Sequence, residues 1–66
     1  MKVKYSLDGV DENAYSIMGY TARALRKAGL IDEIHEMYEE ATGGDYYNLI
    51  AVCDRYIDMA NDELGV

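Results

Sequence analysis

Sixty-six residues with a formal charge of −7, thirteen Asp and Glu against six Lys and Arg, make one domain at most, near the lower limit for folding alone. Cys53 is the only cysteine, so no disulfide can staple the chain, and a domain this small then needs very good helix packing, a metal or a second subunit. So acidic a protein repels phosphate backbones and anionic bilayers; direct nucleic-acid binding is not expected, and no membrane contact. The longest purely apolar run, Leu49 to Cys53, is too short to cross a bilayer. Met1-Lys2-Val3-Lys4 lacks the apolar core of a secretory signal, which leaves cytoplasmic residence as the default expectation.

At the N-terminus Val3, Tyr5 and Leu7 alternate with Lys2, Lys4 and Ser6, the two-residue period of a half-buried strand. Asp8-Gly9 reads as a turn. No second strand follows, and a lone strand cannot satisfy its own backbone groups. Three solutions are open: pairing with a second copy, lying along the helices, or borrowing the C-terminal tail. Pairing across a dimer is the favoured expectation.

A first helix is predicted from Asp11 as its cap, with Val10 and Tyr15 stapled around it. Ala14, Ile17, Met18, Thr21, Leu25 and Ala28 form its apolar stripe. Arg23, Arg26 and Lys27 complement the carbonyl end of the dipole, and Gly29 ends the helix as a left-handed residue. Gly19 projects away from the core, beside Tyr15, Arg23 and Arg26. A mid-helix glycine costs about 1 kcal/mol relative to alanine. Either that cost is tolerated or a partner comes close there, which makes Tyr15, Gly19, Arg23 and Arg26 the candidate partner-binding surface.

The second helix is predicted over about Ile31 to Ala41, weakly capped, with Leu30, Ile34, Met37, Tyr38 and Ala41 on its apolar side. Gly43-Gly44 closes it, and Asp45 caps a third helix almost at once, so the two fold back on each other. In that third helix Tyr46, Leu49, Ile50, Cys53, Tyr56, Ile57, Ala60 and Leu64 recur at steps of three and four. Val52 and Met59 lie outside the stripe and, with Tyr56, widen it beyond what a monomeric three-helix core needs. Val52, Tyr56 and Met59 are therefore the expected interface of a homodimer. The fold class expected is mainly α, a three-helix bundle preceded by one short N-terminal β-strand.

The runs Asp11-Glu12-Asn13-Ala14-Tyr15-Ser16-Ile17-Met18-Gly19, Ala24-Leu25-Arg26-Lys27-Ala28-Gly29 and Glu40-Ala41-Thr42-Gly43-Gly44-Asp45-Tyr46 resemble a group of small uncharacterised bacterial proteins often encoded on conjugative elements and prophages. The chain departs from that group at Glu12, where a glycine is expected, and around Leu30 to Glu33. The resemblance implies a mobile-element setting and transfers no functional residue.

Signals for chemistry are weak. Asp32, His35 and Glu39 share one side of the second helix, but a zinc site needs three held ligands and these face outward. Cys53 sits within the apolar stripe as a small hydrophobe, with no reason for His35 to be beside it. Gly43-Gly44 lacks the Lys-Ser or Lys-Thr of a phosphate loop. Asp32, Glu36 and Glu40, and likewise Asp54, Asp58 and Asp62, form ridges of like charge four residues apart. No catalytic residue, cofactor or metal is expected. The function expected is protein–protein contact without catalysis, as an accessory or regulatory module of a mobile element. The alternative is an acidic, nucleic-acid-mimicking inhibitor of a host DNA-acting enzyme.

Overall fold

In the structure, a computed structural model describing residues 3–66, side-chain caps set two of three helix starts. Helix α1 (Ala14–Lys27) begins where the Asn13 side chain accepts from the N–H groups of Tyr15 and Ser16. The cap expected at Asp11 is displaced by two residues, because the Asp11 carboxylate is turned onto the N–H of Asn13 at 3.0 Å. Asn and Asp are equivalent caps, and the later one has two donors to satisfy. The expected staple does not form, since Tyr15 is 82% exposed.

Gly29 ends α1 at φ 79°, as expected. The N–H of Leu30 bonds the carbonyl of Leu25, and that of Gly29 bonds Arg26, so two orphan carbonyls of the last turn are satisfied. Helix α2 (Ile31–Ala41) follows at once. Leu30 gives it no side-chain cap, and Asp32 and Glu33 in its first turn complement the dipole instead. Helix α3 (Tyr46–Leu64) opens with Asp45 accepting from the N–H of Asn48 and ends at left-handed Gly65.

The three helices pack pairwise against one another. Ala24, Leu25, Met37, Cys53 and Ala60 are sealed at the centre with Thr21, whose hydroxyl donates to the Ile17 carbonyl at 2.8 Å. Small residues at that centre let the backbones approach closely. Burial pushes the Cys53 thiol up, against a smaller opposing effect of the Thr21 hydroxyl, and so holds it in its unreactive form.

The N-terminal β-strand does not form: the described residues contain no strand. Lys2, with its place in the expected alternation, and Met1 lie outside the described residues. Residues 3–13 are instead a strap laid against α1 and α3. Tyr5 and Leu7 turn inward onto the core and Val3 stays 60% exposed. The backbone that needed a second strand finds a side chain. Asn61 Oδ1 accepts from the Tyr5 N–H and Asn61 Nδ2 donates to the Tyr5 carbonyl, both at 2.9 Å. One residue exchanging both bonds with one partner is the pattern of an antiparallel strand pair, here supplied by a buried amide. Tyr20 accepts from the Ser6 N–H at 2.9 Å, with its ring edge-on to Tyr5. After the Leu7–Val10 turn at Gly9, the strap is tied again where the Tyr46 hydroxyl donates to the Glu12 carbonyl at 2.6 Å.

A second tie joins α2 to α3. The Glu40 carboxylate accepts from Arg55 Nη2 at 2.7 Å and from the Tyr56 hydroxyl, and Arg55 lies over the Tyr56 ring. Arg55 therefore neutralises a carboxylate on the neighbouring helix, not Asp58 on its own. The Tyr56 and Arg55 hydrogen bonds lower the Glu40 pKa, and the same Tyr56–Glu40 bond, with burial, pushes the Tyr56 hydroxyl up to about 12.

Replacing Asn61 by alanine strands both Tyr5 backbone groups in a half-buried place, at a cost of about 1–3 kcal/mol. Thermal melting should fall by roughly 5–15 °C for a domain of this size, and the Tyr5 amide should exchange hydrogen much faster. Unchanged Tyr5 exchange would show that the amide does not hold the strap. The Glu40 tie predicts a loss of stability at both pH extremes. Glu40 titrates below its unfolded value, so its contribution is present above about pH 4.5 and is lost as the pH falls through the folded pKa. Tyr56 titrates above its unfolded value, so its contribution is complete below pH 10.0 and is lost as the pH rises through about 12. Tyr56→Phe should flatten the alkaline limb of a stability–pH curve, and an unaltered limb would dissociate it from Tyr56.

Candidate functional site

The start of α1, the end of α2 and the start of α3 meet around an open groove of about 370 Å³. Ala14, Met18, Ala41 and Leu49 give it an apolar floor, and Tyr15, Tyr46, Thr42, Gly44 and Asp45 its walls. Each wall is placed by a helix boundary. The Asn13 cap puts Ala14 and Tyr15 in the first turn of α1. Thr42 closes α2, its hydroxyl donating to the Tyr38 carbonyl at 2.7 Å. Asp45 caps α3 through one carboxylate oxygen at 2.9 Å from the Asn48 N–H.

Gly44 has a steric role. A Cβ there would come within 2.9 Å of Cβ and Cγ of Asn48, whose Nδ2 donates to the Glu40 carbonyl at 2.9 Å and so satisfies the end of α2. Neither Gly43 nor Gly44 has a positive φ; the close turn between α2 and α3 needs the space, not the left-handed backbone. Tyr46 leans toward Glu12 to make its bond with that carbonyl, which sets its ring as a wall of the groove, edge-on to Tyr47 at 6.4 Å. Tyr15 and Tyr47 are each 82% exposed.

Among the described residues no Lys, Arg or His lines the groove. The charged group in its wall is Asp45, and Asp11 and Glu12 lie in the segment that carries Tyr46's acceptor. The hydroxyls of Thr42 and Tyr46 are already donated to carbonyls. The recess can therefore hold an apolar group beside a cation, and it pairs no nucleophile with a base.

The candidate surface read from the sequence is divided by the structure. Tyr15 belongs to the groove. Arg23 and Arg26 are exposed farther along α1, with Arg23 about 12 Å from Tyr15 along the axis at the usual rise. Gly19 lies between them, with nothing within 4 Å of where a Cβ would stand; no neighbouring part of the chain requires a glycine there.

The surface expected to join two copies is largely consumed within one. Val52 is 8% and Tyr56 4% exposed, and Met59 keeps 38% of its surface open. Tyr56 is bonded to Glu40 of α2, and the packing of α2 on α3 covers that side of the helix, while the strap adds Tyr5, Leu7 and Val10 to the core from the Asn61 side. Together with the Asn61–Tyr5 pairing, this means that Val52, Tyr56 and the Tyr5 backbone are satisfied within one copy.

His35 Nε2 stands 2.7 Å from Glu39 Oε1, with both side chains well exposed. Among the described residues the other ion pair is Arg55–Glu40, which leaves Asp54, Asp58 and Asp62 exposed without an ionic partner. The groove itself was missed in the sequence because Tyr46 reads as part of the α3 stripe and Thr42 and Gly44 as punctuation. Comparison of the chain with protein-family models, with curated proteins and with solved structures gave no match, so its function has to be argued from this geometry.

Proposed function

We propose that the protein is a non-enzymatic protein–protein interaction module whose contact surface is the tyrosine-walled groove, acting as an accessory or regulatory protein of a mobile element. The observation that carries this is the exposure of Tyr15 and Tyr47 beside an apolar recess that the chain leaves open. Tyrosine supplies large, rigid contact area at low entropic cost and is enriched where proteins bind. Contact without catalysis also fits the neighbouring groups: Cys53 is sealed in the core, and the hydroxyls at the groove are engaged. The mobile-element setting follows from the resemblance at residues 11–19, 24–29 and 40–46.

A second reading is favoured by Asp54, Asp58 and Asp62, which line α3 at intervals of about 6 Å without ion pairs among the described residues. On it the ridge imitates a nucleic-acid backbone and inhibits a host DNA-acting enzyme.

The two readings separate cleanly. Partner capture from the native host should be lost on Tyr15→Ala/Tyr47→Ala and retained on Arg23→Ala/Arg26→Ala. Capture that survives the tyrosine pair and fails with the arginine pair moves the surface to the far half of α1. Capture that falls steeply with salt and is abolished by Asp54→Asn/Asp58→Asn assigns the function to the acidic ridge.

A further inference from the structure

We propose that the groove receives a basic amphipathic helix, which seats one large apolar side chain between Tyr15 and Tyr46 and sets its Lys and Arg residues against Asp45 and the Asp11–Glu12 pair. This rests on the groove being the contact surface and adds the chemistry of what enters it.

Charge complementarity selects the occupant. Among the described residues the groove wall carries a carboxylate and no cation, and the segment bonded to Tyr46 contributes two more carboxylates. The cations of α1 in its last turns, Arg26 and Lys27, lie at the opposite end of that helix. Exposed tyrosine faces beside carboxylates attract guanidinium and ammonium groups. A second copy of this chain would bring Asp11, Glu12 and Asp45 against acidic surface, on a molecule of charge −7, and so fits poorly.

Helical form follows from what the groove lacks. Its lining is helical except for the short Thr42–Asp45 turn, and the carbonyls of Tyr38 and Glu40 beside that turn are taken by Thr42 and Asn48. It offers no row of free N–H and C=O groups for an extended peptide to pair with. A helix satisfies its own backbone and presents side chains alone. The volume, about 370 Å³, is at the small end of binding recesses and suits a single anchoring residue with its neighbours on the rim.

The test uses the 15N-labelled protein and an amidated Leu/Lys amphipathic peptide of about 18 residues, long enough to hold a helix, with a Leu/Glu peptide of the same apolar face as control. Saturable amide shifts from the Lys peptide are expected at Ala14, Met18, Ala41, Gly44 and Leu49, with none from the Glu peptide. Tyr15→Ala/Asp45→Asn should weaken binding about tenfold; Asn keeps the α3 cap and Tyr15 is exposed, so circular dichroism should be unchanged. Shifts at the groove from both peptides alike overturn the basic partner and leave the groove as the contact surface. No saturable shifts from either, or shifts centred on Asp54, Asp58 and Asp62, overturn both. Shifts at the groove on raising protein concentration alone assign it to a second copy and overturn the proposal.

Discussion

The amide of Asn61 bridges the N–H and the carbonyl of Tyr5 across 56 positions of sequence, and much of the structure depends on that pair of bonds. Helices satisfy their own backbones; the eleven or so residues before α1 cannot. Without the amide, the strap would gain little by leaving water, because its half-buried peptide groups would lose their hydrogen bonds. With it, Tyr5 and Leu7 can be laid on the core, and the side of α3 that α2 does not cover is closed from inside one chain. A domain lacking disulfides thereby completes its core with eleven described residues that form no regular element. Among the described residues no side-chain polar atom in the interior is unpaired, which reflects the same economy: Thr21, Asn61 and Tyr56 each have a partner.

The strap also explains the shape of the groove. It runs antiparallel to α3, from Tyr5 at Asn61 to Glu12 at Tyr46. The helix between those anchors rises about 22 Å, and seven extended residues reach about 23–25 Å. The Leu7–Val10 turn takes up part of that length, and the long Tyr46 side chain spans the remainder. One consequence is that the Tyr46 ring is held off the core and turned into a wall. The tie that secures the strap thus creates one side of the recess that the strap does not reach.

Much of this was legible in the sequence, for identifiable reasons. Gly29, Asp45 and the limits of α2 follow from local chemistry: a left-handed residue, a carboxylate ahead of an apolar run, glycines after one. The two-residue alternation at Tyr5 and Leu7 was also a true signal of one inward face, although the partner of that face was not a strand. What escaped depends on distant residues. Asn61 follows Ile57 by four positions and so belongs to the buried face, yet a polar residue there reads as solvent-facing until its partner, 56 residues away, is known. Asp11 and Asn13 are equally good caps, and only the turn that directs Asp11 onto the Asn13 N–H decides between them. Val52 and Tyr56 read as surplus because the period of α3 alone does not show which side α2 covers, or that Glu40 of α2 takes the Tyr56 hydroxyl.

The stabilising contacts and the open surface are segregated in the molecule. Asn61, Thr21, Cys53 and Ala60 hold the strap and the centre, and the Glu40–Arg55–Tyr56 tie fastens α2 to α3. At the groove the constraints are of another kind. Gly44 is required by the Asn48 side chain, Thr42 and Asn48 are consumed in ending α2, and Asp45 is consumed in starting α3. Those groups are fixed in place by helix termination, so the recess is rigid before anything enters it. A preformed site loses less entropy on binding than one that must be ordered. The side chains of Tyr15 and Tyr47, by contrast, make no hydrogen bond among the described residues and take no part in either tie, and their rings stand in water at some cost. Neither the helix caps nor the core accounts for that exposure, and the proposed contact surface is built on it.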